Sequence, residues 1–461
     1  MPERLVIVGG DAAGMSAGTQ ARRRRDPTEL EIVAFERGSY TSYSACGIPY
    51  FVGGTVEELD PLIVRSPEAF RERNEIQAHI HHEVTEIDLH ARKVKVRDLV
   101  NSVDRTEGFD QLMIATGATP IHPRWPGSDA EGIFGLQVLG DGVEIRRWVD
   151  QRRPARAVVI GAGYIGIEMA EAFKVRGMEV AVVTRAPQPM TTVDEDMGAI
   201  VAERMRAMDI DLWLEEDVEG LEQTGGRVSA VVTDARTIPA DMVVLGLGVE
   251  PNTELAEGAG IVIGASGGIR VDRQMRTMVE GVWSGGDCAE KFHLVSRRPV
   301  TIPLGTHANK EGRVAGINIG GGYETFPGVI GTAVSKICDV EVARTGLNES
   351  EASEAGFQFV TSITDSTTRA GYFPDARPIK TKLVVERQSG RLLGAQIIGE
   401  EGAAKRIDVL ATAIWNRMSV GRLLNLDLSY APPFAPVWDP VLIAARDARK
   451  LVEETLQVES G

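Results

Sequence analysis

The sequence has few cysteines, few aromatic residues and no long hydrophobic run. Only three of its 461 residues are cysteines, Cys46, Cys288 and Cys338, and so few exclude a disulfide-stabilised scaffold. No apolar stretch approaches the roughly 18 residues that span a membrane. A strand-like segment begins at Leu5, which leaves no room for a signal peptide. We therefore expect a cytoplasmic protein with no membrane partner.

Basic residues are outnumbered by acidic ones. The chain has 50 Lys and Arg against 66 Asp and Glu, a net charge of −16, which argues against nucleic acid as a partner. The length exceeds the roughly 250–300 residues at which a single core stops growing. Hydrophobic content of 43% and charged content of 25% are ordinary for globular proteins. We expect two or three domains.

A complete GxGxxG motif stands in "ARAVVIGAGYIGIEMAEAF", formed by Gly161, Gly163 and Gly166. It lies between an apolar strand and a helix, where glycines let backbone amides approach a pyrophosphate. The following strand ends in Thr184 and Arg185. This pair lacks the carboxylate that would repel a 2′-phosphate and supplies a cation that attracts one. The segment predicts a dinucleotide site that prefers NADPH, with NADH as a further candidate.

A second, imperfect copy of this unit stands at the start of the chain in "RLVIVGGDAAGMSAG". Asp11 occupies the place of the second glycine, so the prediction depends on Gly9, Gly14 and the strand that ends in Glu36. A carboxylate at that strand end accepts hydrogen bonds from a free ribose. Two such units about 150 residues apart predict two dinucleotide sites.

Two further strand ends favour a flavin at the first site. "QLMIATGATP" places Thr116 and Gly117 after an apolar strand, and "GVWSGGDCAE" places Asp287 after another. A carboxylate at such a position can accept a hydrogen bond from a ribityl hydroxyl, although an aspartate after two glycines is also a common turn residue.

Taken in their order along the chain, the two glycine-rich turns and the two strand ends resemble the pyridine nucleotide–disulfide oxidoreductase family. The resemblance covers nearly the whole chain. The resemblance implies an α/β fold of two Rossmann-like domains and an α+β dimerisation domain, in a homodimer that uses FAD and NAD(P)H. The implied boundaries are 1–120 and 250–325 for the FAD domain, 121–249 for the NAD(P) domain and 326–461 for dimerisation.

The stretch "SYSACGIPY" places Cys46 alone, where the best-known family members have a cysteine pair. A single thiol beside a flavin can cycle through a mixed disulfide or a sulfenic acid. We therefore predict that Cys46 is catalytic and that the other two cysteines are structural. A helix starting near Gly47 would lower the pKa of the thiol.

Members with one cysteine include NADH peroxidases, NADH oxidases, and coenzyme A-disulfide reductases with their persulfide- or polysulfide-reducing relatives. Peroxide- and oxygen-reducing members have a histidine where this chain has Ala12. No histidine follows His307, which argues against a C-terminal histidine base. The resemblance is closest to coenzyme A-disulfide reductase.

The C-terminal stretches "RAGYFPDA" and "DLSYAPPFAPVWDP" resemble segments that bring tyrosines to the cysteine across the dimer interface. The resemblance assigns Tyr430 and Tyr372 to protonation or stabilisation of the departing thiolate. The alternative for Tyr372 is an interface aromatic residue.

Coenzyme A would need a site for its phosphates and its pantetheine arm. Ser16, Gln20 and Arg23 share one face of the first helix. The resemblance assigns substrate binding to these three residues, Ser42 and Asn309. The alternative for Arg23 is an interaction with the helix dipole.

Two other features carry less weight. "HIHHEVTEIDLH" alternates like a strand and lacks ligand spacing, so we predict no metal. The chain stops soon after "VWDPVLIAARDARKLVEET", so we expect no fused rhodanese-like domain, which favours a disulfide as substrate over a persulfide.

The resulting hypothesis is that NADPH reduces FAD and that Cys46 attacks coenzyme A disulfide. One coenzyme A then leaves with a proton from Tyr430 of the other subunit, and reduced flavin releases the second from Cys46. The alternatives are reduction of polysulfide, coenzyme A persulfide or oxygen on the same scaffold, or a flavin-containing redox sensor that signals through Cys46 oxidation.

Overall fold

The first sheet is built from a parallel βαβ unit at the start of the chain and a later return of the chain. The structure is a computed structural model that describes residues 2–460 and the side chains of 2–457. The five strands of the first sheet are parallel and run in the order β18-β7-β1-β2-β3. Their bounds are β1 Glu3–Val8, β2 Leu30–Phe35, β3 Ile76–His79, β7 Gln111–Ile114 and β18 Val282–Ser284. β18 pairs with β7, so the chain returns to this sheet after an excursion into a separate unit.

Helices and short strands surround this sheet. The helices are α1 Ala12–Arg22, α2 Ile48–Gly53, α3 Pro67–Asn74, α7 Glu254–Gly258 and α8 Gly305–Ile319. The short strands are β4 His82–Asp88, β5 Lys93–Asp98, β6 Val103–Gly108, β19 Lys291–Phe292 and β20 Pro299–Val300. The histidine-rich segment thus forms two strands, β3 and β4, because a left-handed His81 with a φ of 56° interrupts the predicted single strand.

The excursion forms a second parallel sheet in the order β12-β11-β10-β16-β9. Its strands are β9 Ile133–Gly135, β10 Arg156–Ile160, β11 Glu179–Thr184, β12 Ile210–Leu214 and β16 Met242–Leu245. Its helices are α4 Leu139–Arg152, α5 Tyr164–Val175 and α6 Glu195–Ala207, and the antiparallel strands β13 Val218–Thr224, β14 Arg227–Thr233 and β15 Thr237–Pro239 cover it. The two crossings between the sheets pair as β8 Ala118–Pro120 and β17 Val249–Pro251.

The last third of the chain is an antiparallel sheet with helices against it, in the order β21-β22-β25-β24-β23. The strands are β21 Ala333–Ile337, β22 Val340–Gly346, β23 Phe359–Thr367, β24 Pro378–Glu386 and β25 Leu392–Gly399. The helices are α9 Glu349–Glu354, α10 Ile407–Trp415, α11 Val420–Leu423 and α12 Pro440–Ser460. The α/β fold class predicted from the sequence is confirmed.

Two close helix contacts position the candidate site. Helix α8 packs on α1 where a Cβ on Gly312 would lie 2.1 Å from the Ala13 carbonyl oxygen, and one on Gly316 would lie 2.2 Å from that of Ala17. Helix α2 packs on α5, and its Phe51 belongs to a core shared with the second sheet. These contacts join the first unit to a distant segment and to the second unit. Within residues 2–460, no helix is both long and apolar enough to cross a membrane.

Candidate active site

The first glycine-rich turn joins β1 to α1 through two close backbone approaches. A Cβ on Gly9, whose φ is 107°, would lie 2.0 Å from the Ala115 carbonyl oxygen. One on Gly14 would lie 2.0 Å from the Gly9 carbonyl oxygen. No side chain fits at either position, so both glycines are needed for the strand to turn directly into the helix. The turn leaves the N-terminus of α1 able to receive a diphosphate.

Two carboxylates flank this turn. Glu36 follows β2 and accepts the amides of Gly10 and Gly38, each at 2.7 Å. Asp11 is the N-cap residue of α1 and accepts the Tyr43 amide at 3.1 Å. Burial raises the pKa of Asp11 to about 7, and the charge of Glu36 adds to the rise. The residue that departs from the glycine motif is thus a carboxyl group that can be neutral near pH 7.

The loop after β18 carries Asp287, whose Oδ1 is buried without a hydrogen-bond partner among the described residues. The loop is fixed from behind, since Lys291 Nζ donates to the Gly286 carbonyl at 2.8 Å and Glu311 accepts the Gly286 amide at 2.7 Å. Burial raises the pKa of Asp287. A buried, unpartnered carboxylate oxygen costs free energy unless a ligand donates to it, so this residue fits a flavin hydroxyl.

Thr116 and Gly117 lie where β7 leaves the first sheet, and both bind one residue at the second crossing. The Thr116 hydroxyl donates to the Asn252 carbonyl at 2.7 Å, and the Asn252 side-chain amide donates to the Thr116 carbonyl at 2.8 Å. The Asn252 backbone amide donates to the Gly117 carbonyl at 2.9 Å. The threonine hydroxyl therefore fixes the crossing between the two units.

The second glycine-rich turn shows the same sterics. A Cβ on Gly161 would lie 2.3 Å from the Gly246 carbonyl oxygen, and one on Gly166 would lie 2.0 Å from the Gly161 carbonyl oxygen. Gly163, the N-cap residue of α5, would point a Cβ into open space. Gly161 and Gly166 therefore serve the packing of the turn, and Gly163 keeps the helix N-terminus open to a diphosphate.

Thr184 and Arg185 lie at the carboxyl end of β11, beside this turn. The Thr184 hydroxyl accepts the Ala186 amide at 3.2 Å. Arg185 is exposed and its side chain makes no hydrogen bond or ion pair with any side chain of residues 2–457. A free guanidinium at this strand end is available to an anion.

Cys46 lies in a 3-10 turn, Ala45–Gly47, that leads into α2. It is exposed, whereas Cys288 is fully buried and Cys338 is partly buried. Partial desolvation by the surrounding protein raises the pKa of the Cys46 thiol, and the charge of Glu168 adds to the rise. The helix terminus was expected to lower this pKa, whereas burial of the thiol and the charge of Glu168 act in the opposite direction.

Glu168 is a functional candidate that the sequence reasoning missed. It lies on α5, the helix against which α2 packs, and accepts the Ser335 hydroxyl at 2.8 Å. Burial raises the pKa of Glu168. Burial also raises the pKa of Tyr50, one helical turn after Cys46, and the charge of Glu168 adds to that rise. The glutamate two residues after the last glycine of the second motif was the signal available in the sequence.

Tyr430 and Tyr372 form a pair on the surface of the C-terminal unit. They are 48% and 79% exposed. Desolvation raises the pKa of Tyr430, and a hydrogen bond with Tyr372 adds to the rise. Within the described part of one chain, neither tyrosine bonds to Cys46. A contact between them and the thiol would have to come from a second subunit.

The candidate substrate residues form two groups. Ser16 donates to Asn309 at 2.9 Å, so the packing of α8 on α1 joins residues far apart in sequence. Gln20 lies on the same face of α1 as Ser16 and is partly exposed. Arg23 follows the helix as its exposed C-cap residue. Ser42, left-handed with a φ of 47°, donates its amide to the first glycine-rich turn at 3.1 Å.

Within residues 2–457, no group of three or more histidine, cysteine or acidic side chains could hold a metal ion. Two dinucleotide turns, with an exposed thiol just before a helix that packs between the two units, define a redox enzyme that passes electrons between nucleotide cofactors and a cysteine.

Comparison with known proteins agrees with this class. Residues 3–312 match the pyridine nucleotide-disulphide oxidoreductase model, and residues 332–440 match the dimerisation domain of the same family. The chain belongs to the pyridine nucleotide-disulphide oxidoreductase family. The family and enzyme class predicted from the sequence are confirmed, and family membership implies FAD and NAD(P)H as cofactors.

Individual relatives share nearly the whole chain. An NAD(P)H coenzyme A polysulfide/persulfide reductase from Pyrococcus horikoshii is 39% identical over 97% of this chain and 98% of its own. A coenzyme A disulfide reductase from Staphylococcus haemolyticus is 27% identical over 97% of this chain and 100% of its own. The crystal structure of reduced Bacillus anthracis CoADR-RHD is 35% identical and superposes with a TM-score of 0.95, covering 98% of this chain and 81% of that one.

Proposed function

We propose that the protein reduces coenzyme A disulfide with electrons from NAD(P)H, through FAD and Cys46. The observation that carries this proposal is the position of the exposed thiol. Cys46 precedes a helix packed on α5 of the second unit, and the segment just before it is bonded to the first glycine-rich turn, where the Ser42 amide donates to the Gly10 carbonyl at 3.1 Å. The thiol is thus near the loops that we assign to both cofactors.

The chemistry at the thiol is a disulfide exchange. The Cys46 thiolate attacks one sulfur of the substrate, the substrate S–S bond breaks, and one coenzyme A leaves as a thiolate that takes a proton. Cys46 then holds the second coenzyme A in a mixed disulfide. Cleavage of that bond requires two electrons, which FAD reduced by NAD(P)H would supply. Tyr430 and Tyr372 of a second subunit protonate or stabilise the departing thiolate.

We assign residues 1–120 and 250–325 to FAD, with Gly9, Gly14, Glu36, Thr116, Gly117 and Asp287 as its contacts. Residues 121–249 bind NAD(P)H through Gly161, Gly163, Gly166, Thr184 and Arg185. The free guanidinium of Arg185 favours NADPH. Ser16, Gln20, Arg23, Ser42 and Asn309 bind coenzyme A. A cytoplasmic location stays a prediction.

Residues 326–461 form the homodimer interface in this proposal. The tyrosine pair, Tyr372 and Tyr430, is exposed together with three side chains that follow Tyr430 in sequence. These three are Phe434, Val437 and Trp438, and the five residues are between 48% and 79% exposed. Exposed apolar residues grouped in this way are typical of an interface. A second copy would cover them and bring the tyrosines to the thiol.

A persulfide or polysulfide is the second candidate substrate. The Pyrococcus horikoshii relative bears that name, and the chain spans 98% of it. Attack by Cys46 on the outer sulfur of a persulfide would use the same residues.

Steady-state oxidation of NADPH and NADH with each acceptor tests the proposal. Turnover with coenzyme A disulfide, lost in Cys46→Ser but kept in Cys338→Ser, together with a coenzyme A adduct on Cys46 by mass spectrometry, would support it. Faster turnover with coenzyme A persulfide would transfer the assignment to the second candidate. Full activity of Cys46→Ser would refute both, and negligible turnover with every acceptor would favour the redox sensor.

A further inference from the structure

The loop that carries Arg185 lies against the end of the neighbouring strand. β12 is parallel to β11 and ends in register with Thr184. The next residue, Glu215, donates its amide to the Ala186 carbonyl at 3.1 Å, and Glu216 donates its amide to the Thr184 carbonyl at 3.2 Å. These two bonds fall on either side of Arg185. The backbone of Glu215 is therefore fixed next to the arginine.

The two glutamates differ in their partners. Glu216 is buried and forms an ion pair of 2.9 Å with Arg236, and it also accepts the Thr233 hydroxyl at 2.9 Å. Glu215 is exposed, with a left-handed φ of 56°, and its side chain has no hydrogen bond or ion pair to any described side chain. The charge of Glu216 is compensated. Glu215 and Arg185 remain as one free carboxylate and one free cation at the same edge.

We propose that Glu215 is a specificity-determining residue that opposes Arg185, so that the enzyme accepts both NADH and NADPH. The inference rests on the proposed use of the second glycine-rich turn for NAD(P)H. Arg185 attracts a 2′-phosphate. Glu215 repels that phosphate, and its carboxylate can accept a hydrogen bond from a free ribose hydroxyl. Glu215 thus reduces the difference in affinity between NADPH and NADH that Arg185 alone would produce.

Calorimetric titration of the FAD-loaded enzyme with adenosine 2′,5′-bisphosphate and with 5′-AMP isolates this effect, because the two probes differ only in the 2′-phosphate. Glu215→Gln should tighten binding of the bisphosphate by about three- to tenfold and should not tighten binding of 5′-AMP. The gain should shrink at high ionic strength because exposed charges are screened. Arg185→Gln should weaken binding of the bisphosphate by about tenfold.

Glu222→Gln is the matched control, since Glu222 is exposed on β13 and has no ion pair to a described side chain. The proposal is supported if the ratio of the affinity for adenosine 2′,5′-bisphosphate to that for 5′-AMP changes in Glu215→Gln and does not change in the control. An equal change in both variants, or an unchanged ratio in Arg185→Gln, overturns it. Neither probe contains an oxidised sulfur, so this result is independent of the sulfur substrate.

Discussion

Ser16 and Asn309 are 293 residues apart and share a hydrogen bond of 2.9 Å from the Ser16 hydroxyl to the Asn309 side-chain oxygen. Both stand on the face where α1 and α8 meet, and the family resemblance assigns both to the substrate. The bond exists because Gly312 and Gly316 let the two helices approach closely. The candidate coenzyme A site is therefore a product of helix packing.

Removal of either partner of this bond should weaken substrate binding. We expect Ser16→Ala and Asn309→Ala each to raise KM for coenzyme A disulfide about three- to tenfold with kcat nearly unchanged. The double variant should lose less binding free energy than the sum of the two single losses, because the two residues share one interaction. Ser350→Ala, on exposed α9, serves as the control. Strictly additive losses would contradict a shared site.

The charge of Glu168 should slow the reaction of Cys46 with electrophiles. In Glu168→Gln the pKa of Cys46 should fall, since one of the charges that raise it is removed. We expect alkylation by iodoacetamide at pH 7.5 to become about two- to fivefold faster. Glu171→Gln, on the same helix, is the control. Equal rates in wild type and Glu168→Gln would show that burial alone raises the thiol pKa.

Tyr430→Phe should slow disulfide reduction without affecting reduction of the flavin. Loss of a proton donor typically costs about a hundredfold or more in the step that needs it, so we expect kcat with coenzyme A disulfide to fall by about that factor. Stopped-flow measurement of flavin reduction by NADPH should give the wild-type rate. Tyr323→Phe, a substitution at another exposed tyrosine, controls for surface effects. An unchanged kcat would remove the assigned role.

Asp11 should make the protein less stable as pH rises from about 4 to about 7. Its folded-state pKa of about 7 exceeds the ordinary value of 3.8, so the folded state binds more protons across this window and stability falls as pH increases. Asp11→Asn should gain about 1–3 kcal/mol over wild type at pH 8 and much less at pH 4. Urea unfolding at both pH values measures this. The same gain at both pH values, or an equal effect of Asp60→Asn, would contradict the assignment.

The contact between α1 and α8 should not tolerate a methyl group. Gly316→Ala would place a Cβ 2.2 Å from the Ala17 carbonyl oxygen, and we expect a loss of about 1–3 kcal/mol in the free energy of unfolding. Gly305→Ala, in the same helix with open space around it, should be nearly neutral. Denaturant midpoints compare the two. An unchanged midpoint for Gly316→Ala would show that the helices separate at little cost.

Several features of the site followed from local sequence because their cause is local. Gly14 and Gly166 are required by backbone sterics within a single strand–turn–helix segment, whereas Gly9 and Gly161 also face carbonyl oxygens of distant residues. Residues at strand ends, such as Glu36 and Arg185, were predictable because the carboxyl ends of parallel strands form the nucleotide-binding edge. The lone Cys46 needed only the absence of a neighbouring cysteine.

Other features were decided by tertiary structure. The pKa of Cys46 depends on burial and on Glu168 from another unit, and neither effect enters an argument from the local helix dipole. The bond between Ser16 and Asn309, the support of Asp287 by residues behind its loop, and the position of Glu215 beside Arg185 all join segments that only the fold brings together. The sequence determined the fold class, the two nucleotide turns and the lone thiol, because short-range sterics and residue type specify them. The tertiary structure decided the charge around that thiol and the contacts of each site, because desolvation and electrostatic interactions act through space between residues distant in the chain.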